Sequence, residues 1–379
     1  MPSPLSIGTH GTHPPRAGAP FRRIWLSSAL LLLLLGGCAD MSYYWQAARG
    51  QWEIIRARQP IGEVLTDPAV PEPVKAGLRT VQDAQRFGAA ALALAPKVHY
   101  TSYADLGRPQ VSWLVVSAEA FALKARQECF LFVGCFGYRG FFAREDADAY
   151  ADRRAAEGYD VLVRSVTAYS TLGWFEDPLL NTMLDEEPAW LVTTVYHEQA
   201  HRMVFVKGDT TFNESLATFV AQEGVRRYLH SQGAAGAQAL RRYEAQEADR
   251  KRFRAILLAG RKRLEAVYAG AAPPAEMRRR KAEAFAALRS DYASQRASFK
   301  ILSYDGWFSQ PLNNAHLVGV GQYHDRVTAF AALFAREGQD FARFFAAADK
   351  LGELPAEQRQ AALDALSADA PEESLTSRP

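Results

Sequence analysis

Apolar positions change their spacing several times along the chain, and each change marks an element. From residue 41 to 95, aromatics and alanines recur at helical intervals interrupted at Pro60, Pro68, Pro71 and Pro73, which predicts two or three helices. Val111 to Val116 is a short β-branched run, and Tyr159 to Tyr169 contains Val161, Val163 and Val166; both predict strands. Arg144 to Glu157, between them, has helical composition, so a small sheet with helices around it is expected. The glycine-rich aromatic run from Gly134 to Phe142 predicts two short strands around a turn. No Gly-Lys-Ser/Thr follows it, as a phosphate cradle requires.

Asp185-Glu186-Glu187-Pro188 puts acids at the positive end of a helix dipole and a proline in the first turn, predicting a helix that runs to about Val206. Gly208 and Asp209 break it, and Asn213 is the expected cap of a second helix ending near Leu229. Alanine, arginine and glutamate dominate Ala237 to Lys300, broken once at Gly270-Ala271-Ala272-Pro273-Pro274, which predicts an antiparallel helical hairpin. Its cluster Arg278, Arg279, Arg280 and Lys281 reads as a solvated helix face neutralised by neighbouring glutamates. Val327 to Phe345 predicts an apolar helix, and the last dozen residues a frayed tail. The pattern as a whole is α+β, mainly helical.

With 48% apolar and 23% charged residues the chain can bury a core. Its first 38 residues carry Arg16, Arg22 and Arg23 and no acid, leaving 41 basic and 42 acidic residues beyond them. A balance that even gives no ground for nucleic acid as the main partner. Arg22 and Arg23 precede an apolar run from Ile24 to Leu35, too short for a membrane span and right for a secretory signal. The run ends in Leu35-Gly36-Gly37-Cys38, which resembles the bacterial lipobox and implies cleavage before Cys38 and acylation of its thiol. By resemblance to sorting rules in diderm bacteria, Ala39 directs the protein to the outer membrane, facing the periplasm. His10 and His13 fall in the discarded signal. Cys129 and Cys135 remain, an even pair in an oxidising compartment and a candidate disulfide, with two buried thiols as the alternative.

His197-Glu198-Gln199-Ala200-His201 lies in the first predicted helix. Residues four apart point the same way, so both imidazoles can meet one cation while Glu198 sits beside it. Composition gives at most about 0.02 chance matches in this length, so chance is a poor explanation. Zinc suits imidazole and prefers four ligands. Glu214, in Asn213-Glu214-Ser215-Leu216-Ala217, is the candidate third ligand, resembling the Asn-Glu-x-x-Ala element of glutamate-type zincins. A fourth position left to water makes Glu198 the candidate general base for attack on a peptide carbonyl. Tyr323 and His324 are candidate oxyanion donors, or else a packed tyrosine and a surface histidine. Tyr169, Ser170, Thr171, Leu172 and Gly173 end a strand and can bind a peptide backbone by strand addition, or serve as core.

Gly134-Cys135, Tyr138-Arg139-Gly140, Tyr169 to Phe175, His197-Glu198 with His201, Phe212 to Ser215 and Asn313-Asn314-Ala315 together resemble the bacterial putative aminopeptidase lipoprotein family, a gluzincin-like group. The resemblance implies a zincin-like core with a small sheet, an active-site helix and an added hairpin, zinc as cofactor, and aminopeptidase action on peptides. No Gly-x-Met-Glu-Asn element for holding a free N-terminus stands before His197. The expected organisation is a signal over residues 1–37, a peptidase domain over 38–350 with the hairpin inserted at about 237–300, and a C-terminal helix and tail over 351–379. The expected protein is a membrane-anchored zinc metallopeptidase tied to the lipid bilayer through Cys38, its oligomeric state unreadable. The alternative is an envelope lipoprotein scaffold with a structural or inactive zinc site, which a fourth protein ligand such as Asp209, His230 or Glu223 would mark.

Overall fold

The structure is a computed structural model that describes residues 42–94, 100–130, 134–168, 177–184, 187–320 and 326–368. Cys38, Tyr169 to Gly173, Asp185, Glu186, Tyr323 and His324 lie outside the described residues. Two units are distinguished, Met1–Gln51 and Trp52–Pro379. Among the described residues no helix is long and apolar enough to cross a membrane.

Helix α1 covers residues 42–56. The prolines after it start elements rather than merely ending them. Strand β1 (Arg58–Pro60) leads into α2 (Ile61–Thr66) with Pro60 as its N-cap, and α3 (Glu72–Ala91) follows Pro71 with Pro73 in its first turn, where the missing N–H is not needed. β1 pairs antiparallel with β2 (Ser102–Ala104). β3 (Ser112–Ala118) is the centre of a second sheet. The short β4 (Glu128–Phe130) and β5 (Gly134–Phe136) form a separate hairpin in which Cys129 and Cys135 stand opposite each other, joined by a disulfide with their Cα atoms 3.9 Å apart.

The two strands expected between Gly134 and Phe142 therefore exist but do not pair with each other. β6 (Arg139–Phe141) joins β3 instead, Trp113 opposite Phe141. The reason is burial: Phe141, 6% exposed, is covered by Tyr150 of α4 (Arg144–Ala156), ring centroids 5.4 Å apart, which holds it against the β3 sheet. β7 (Asp160–Val166) lies antiparallel on the other side of β3. β8 (Leu179–Leu180) pairs parallel with β2 and runs into the short α5 (Asn181–Leu184).

The main core is packed by α3, α6 (Pro188–Ala200), α7 (Thr210–Ser231) and the C-terminal helices. The hairpin is α8 (Gly233–Ala269) and α9 (Pro274–Gln295), so it starts earlier and ends earlier than the composition shift suggests. It closes a second core through Ile256, Leu264, Phe285 and Leu288, shared with Phe308 of α10 (Asp305–Ser309) and with Leu317. Its basic cluster is not wholly a solvated face. Arg279 and Arg280 pair with Glu276, but Lys281 reaches inward to the Asp160 carboxylate at 2.5 Å and the Ala120 carbonyl at 2.9 Å, tying α9 to β7.

The apolar stretch from Val327 to Phe345 is two helices, α11 (Val327–Arg336) and α12 (Phe341–Glu353). Gly338 and Gln339 take positive φ values of 70° and 60° between them, and the Asp340 carboxylate caps α12 by accepting from the Arg343 N–H at 2.9 Å. α12 runs through residue 350. Leu363 and Leu366 of α13 (Ala356–Ala368) are buried in the same core as α6 and α7, so the C-terminal helix completes the domain instead of following it.

Candidate metal centre

Both ends of α6 are fixed by neighbours. Pro188 occupies its first turn, and the Glu187 carboxylate accepts a fork from Arg242 (3.0 and 2.6 Å) and a bond from Gln246 of α8 at 3.1 Å. The Trp190 indole N–H donates to Gln246, and the Arg250 guanidinium stacks 3.2 Å from the Trp190 ring centre. The helix stops at Ala200 rather than near Val206; His201 is its C-cap, and its amide still bonds the His197 carbonyl at 3.4 Å. The chain turns there because the buried Asn213 carboxamide takes both backbone groups of Val206, accepting from the N–H and donating to the C=O, each at 2.8 Å.

Asn213 is thus a lock, not the expected cap. The cap of α7 is Asp209, whose carboxylate accepts from the Phe212 N–H at 3.0 Å. Its other oxygen accepts from Arg359 Nε at 2.9 Å, and Arg359 also donates to the Gly352 and Leu354 carbonyls of the C-terminal segment. The turn between the two site helices is held from three directions. On the inner side Tyr196, fully buried, donates its hydroxyl to the Ala84 carbonyl at 2.9 Å, and Gly88 and Gly224 lie against its ring. The residue before His197 therefore cannot rotate.

The result is a compact triangle of donors. His197 Nε2 lies 3.2 Å from His201 Nε2 and 3.3 Å from Glu214 Oε2, and His201 Nε2 lies 3.5 Å from Glu214 Oε1. Two ligands held about 2.0–2.1 Å from one tetrahedral zinc stand about 3.3 Å apart, so these edges fit a small cation without rearrangement. The three side chains keep 20–32% of their exposure, enough for the group to open on solvent. Burial lowers the His201 pKa to about 4, His197 pushes the same way and Glu214 opposes. A neutral ring with a free lone pair is the state a metal ligand needs.

Glu198 stands beside the triangle, largely withdrawn from water. Burial raises its pKa, Glu214 and Asp177 add to the effect and His197 opposes it. Tyr100 and Asp177 are the residues that sequence reasoning missed. Tyr100 is buried at 4% exposure, has a positive φ of 57°, and donates its N–H to the Asp177 carbonyl at 3.0 Å. Burial holds its phenol well above the usual tyrosine range, and the nearby carboxylates of Glu198 and Asp177 push it further. Neither residue belongs to a motif; Tyr100 reaches the site from a loop far from α6 in sequence, and Asp177 from the segment just before β8.

Among the described residues no fourth His, Cys, Asp or Glu joins the group. Asp209 is engaged by Arg359, and Glu223 by Arg227 at 2.9 Å. The arrangement defines a mainly helical α+β protein with a group, His197, His201 and Glu214, that can hold a metal ion. The model of the putative aminopeptidase family matches residues 42–363, and the chain belongs to that family, whose name points to a peptidase hydrolase. No curated protein and no solved structure matches it.

Proposed function

We propose that the protein is a zinc-dependent peptidase, an aminopeptidase by its family's name, anchored through acylated Cys38 to the outer membrane of a bacterial envelope, as the sorting resemblance implies, and facing the periplasm. The observation that carries the reading is the donor triangle of His197, His201 and Glu214 with Glu198 at its side. Two imidazoles and a carboxylate are the ligand set of hydrolytic zinc sites, and three protein ligands leave room for substrate. When bound, zinc supplies Lewis acidity at this opening.

The chain's own residues do the rest. Glu198, one position after His197, is turned about 100° from the ligands around the helix, so it stays free for proton transfer. It takes the proton of the water that attacks the peptide carbonyl; a C–O bond forms, the C–N bond breaks, and the proton passes to the leaving amine. Its raised pKa suits a group that must hold that proton between the two steps. Tyr323 is the proposed oxyanion donor and Tyr169 to Gly173 the proposed edge for the substrate backbone.

Glu198→Gln keeps the size and removes the base. The variant should hold zinc as the parent does and unfold at the same temperature, with cleavage of a peptide library reduced by about 10²- to 10⁴-fold. Equal cleavage by the two would remove Glu198 from the chemistry. A zinc-loaded parent that cleaves nothing in a broad library would make the metal structural.

A further inference from the structure

Helix α1 leaves two tryptophans in water that the proposed reaction does not use. Trp45 is 73% and Trp52 60% exposed, although large aromatics ordinarily find burial. They alternate with Arg49 and Arg56, which are also exposed. The spacing of four, three and four residues puts all four on one stripe about 60° wide, and this follows from the spacing within one continuous helix alone. Ile54, on the opposite side, is a core residue at 1% exposure. No acid lies on the stripe, and the neighbouring Glu53 is neutralised by Arg108 at 2.6 Å. The stripe is therefore aromatic and basic.

We propose that this face of α1 lies on an anionic phospholipid surface, with Trp45 and Trp52 in the headgroup boundary and Arg49 and Arg56 against lipid phosphates. Tryptophan is suited to that boundary because its ring is apolar and its N–H still finds a partner, and arginine because it forms forked bonds to phosphate. Position favours the same occupant. The described part of the helix starts at residue 42, four positions past Cys38, and four residues span at most about 14 Å whatever their conformation. If Cys38 carries lipid, as the proposed function has it, the stripe cannot be far from the bilayer. The acyl chains then fix where the protein is held, and the stripe fixes how its first helix is oriented.

The stripe can be tested without the lipid. All buried core residues among those described fall between Ile54 and Leu366, so a chain beginning at Ala39 keeps the whole core and cannot be acylated at Cys38. This chain should sediment with vesicles of phosphatidylcholine enriched in phosphatidylglycerol and less with phosphatidylcholine alone. Arg49→Gln with Arg56→Gln should lower partitioning to the anionic vesicles by about 30-fold, each basic residue near such a surface being worth about fivefold. Trp45→Ala with Trp52→Ala should lower binding to both vesicle types, leaving circular dichroism and peptide cleavage in solution unchanged. No binding to anionic vesicles overturns the proposal, and so does equal binding by the tryptophan variant. A variant that changes the oligomeric state while vesicles are ignored assigns the face to a second copy and also overturns it. Lipid labelling of the full chain at Cys38 is read separately, so a failed anchor and a failed stripe give different results.

Discussion

The pair α6–α7 and the pair α8–α9 are both antiparallel helices in contact, yet they are held by different means. Between α6 and α7 the contact is a fully buried tyrosine ring, Tyr196, set against Gly224, and the turn joining the helices is fixed by the buried Asn213. Between α8 and α9 the seam mixes Ile256, Leu264 and Leu288 with Phe285 and Tyr292, Gly260 faces the methyls of Leu288, and a half-exposed Arg263–Asp291 pair crosses outside it at 2.9 Å. Surface pairs of that kind contribute about 0–1 kcal/mol each. A rigid ring and a doubly bonded carboxamide hold one geometry; leucine methyls and surface ion pairs tolerate several. The triangle of His197, His201 and Glu214 is found where the geometry is held, and single substitutions can loosen it.

The largest effect should come from Asn213→Ala. It strands the N–H and C=O of Val206, at about 1–3 kcal/mol for each unmade bond, so a loss of about 2–6 kcal/mol in denaturant unfolding is expected. Because Asn213 immediately precedes Glu214, zinc retained against a mild chelator should fall with it. A loss under about 1 kcal/mol, with zinc retention unchanged, would show that the turn does not position the third ligand.

A matched pair of smaller changes sets the two regions side by side. A Cβ on Gly224 would stand 2.9 Å from Tyr196 Cδ2 and 3.0 Å from Leu92 Cδ1, and the ring is already fixed by its bond to Ala84 and by Gly88 on another edge. Gly224→Ala should cost about 1–3 kcal/mol by overpacking, less up to about 1 kcal/mol that alanine gains in a helix. In the hairpin a Cβ on Gly260 would stand 2.6 Å from Leu288 Cδ1, the end of a side chain that can change rotamer. There the two effects should nearly cancel, leaving stability within about 1 kcal/mol of the parent. Equal losses in thermal unfolding would mean that the hairpin seam is as rigid as the site.

The same contrast explains how much of the protein was legible in its sequence. His197, Glu198 and His201 are readable because helical spacing alone brings them together, and Glu214 because it opens the next helix after a short turn. The strands β3 and β7 and the helical hairpin follow from local composition. What holds these parts does not. Asn213 has the sequence signature of a cap, and only the turn's geometry makes it a lock while Asp209 caps. Lys281 belongs to a basic run whose other members are solvated, and its pairing with Asp160 joins residues 121 positions apart. Arg359 and Tyr100 act across similar distances, and nothing in a local pattern reports a partner that far away. The break at Gly338 does have a local signal, the polar run Arg336 to Asp340 with a glycine after one helix and a capping aspartate before the next, but the apolar residues on both sides of it read as one helix.

The smallest effect expected is a pH dependence confined to the second core. His316 lies beneath the hairpin, its ring 5.6 Å from Trp307 and its Nδ1 accepting from the Asn313 N–H at 3.2 Å. Burial depresses its pKa below the ordinary 6.5; the contact with Asn313 and the charge of Asp160 oppose the shift, and Arg289 adds to it. The folded protein therefore binds this proton less readily than the unfolded chain. The stability His316 contributes is present above the unfolded value of about 6.5 and is lost as pH falls below it. One histidine can contribute a slope of at most about 1.4 kcal/mol per pH unit. His316→Gln retains an acceptor for Asn313 and removes the titration. Measured by urea unfolding on zinc-loaded protein, the gap between parent and variant should shift in the variant's favour between about pH 7 and pH 5. His201 titrates in both proteins and cancels from the difference, so parallel curves would show that His316 is not held in its neutral form by the hairpin core.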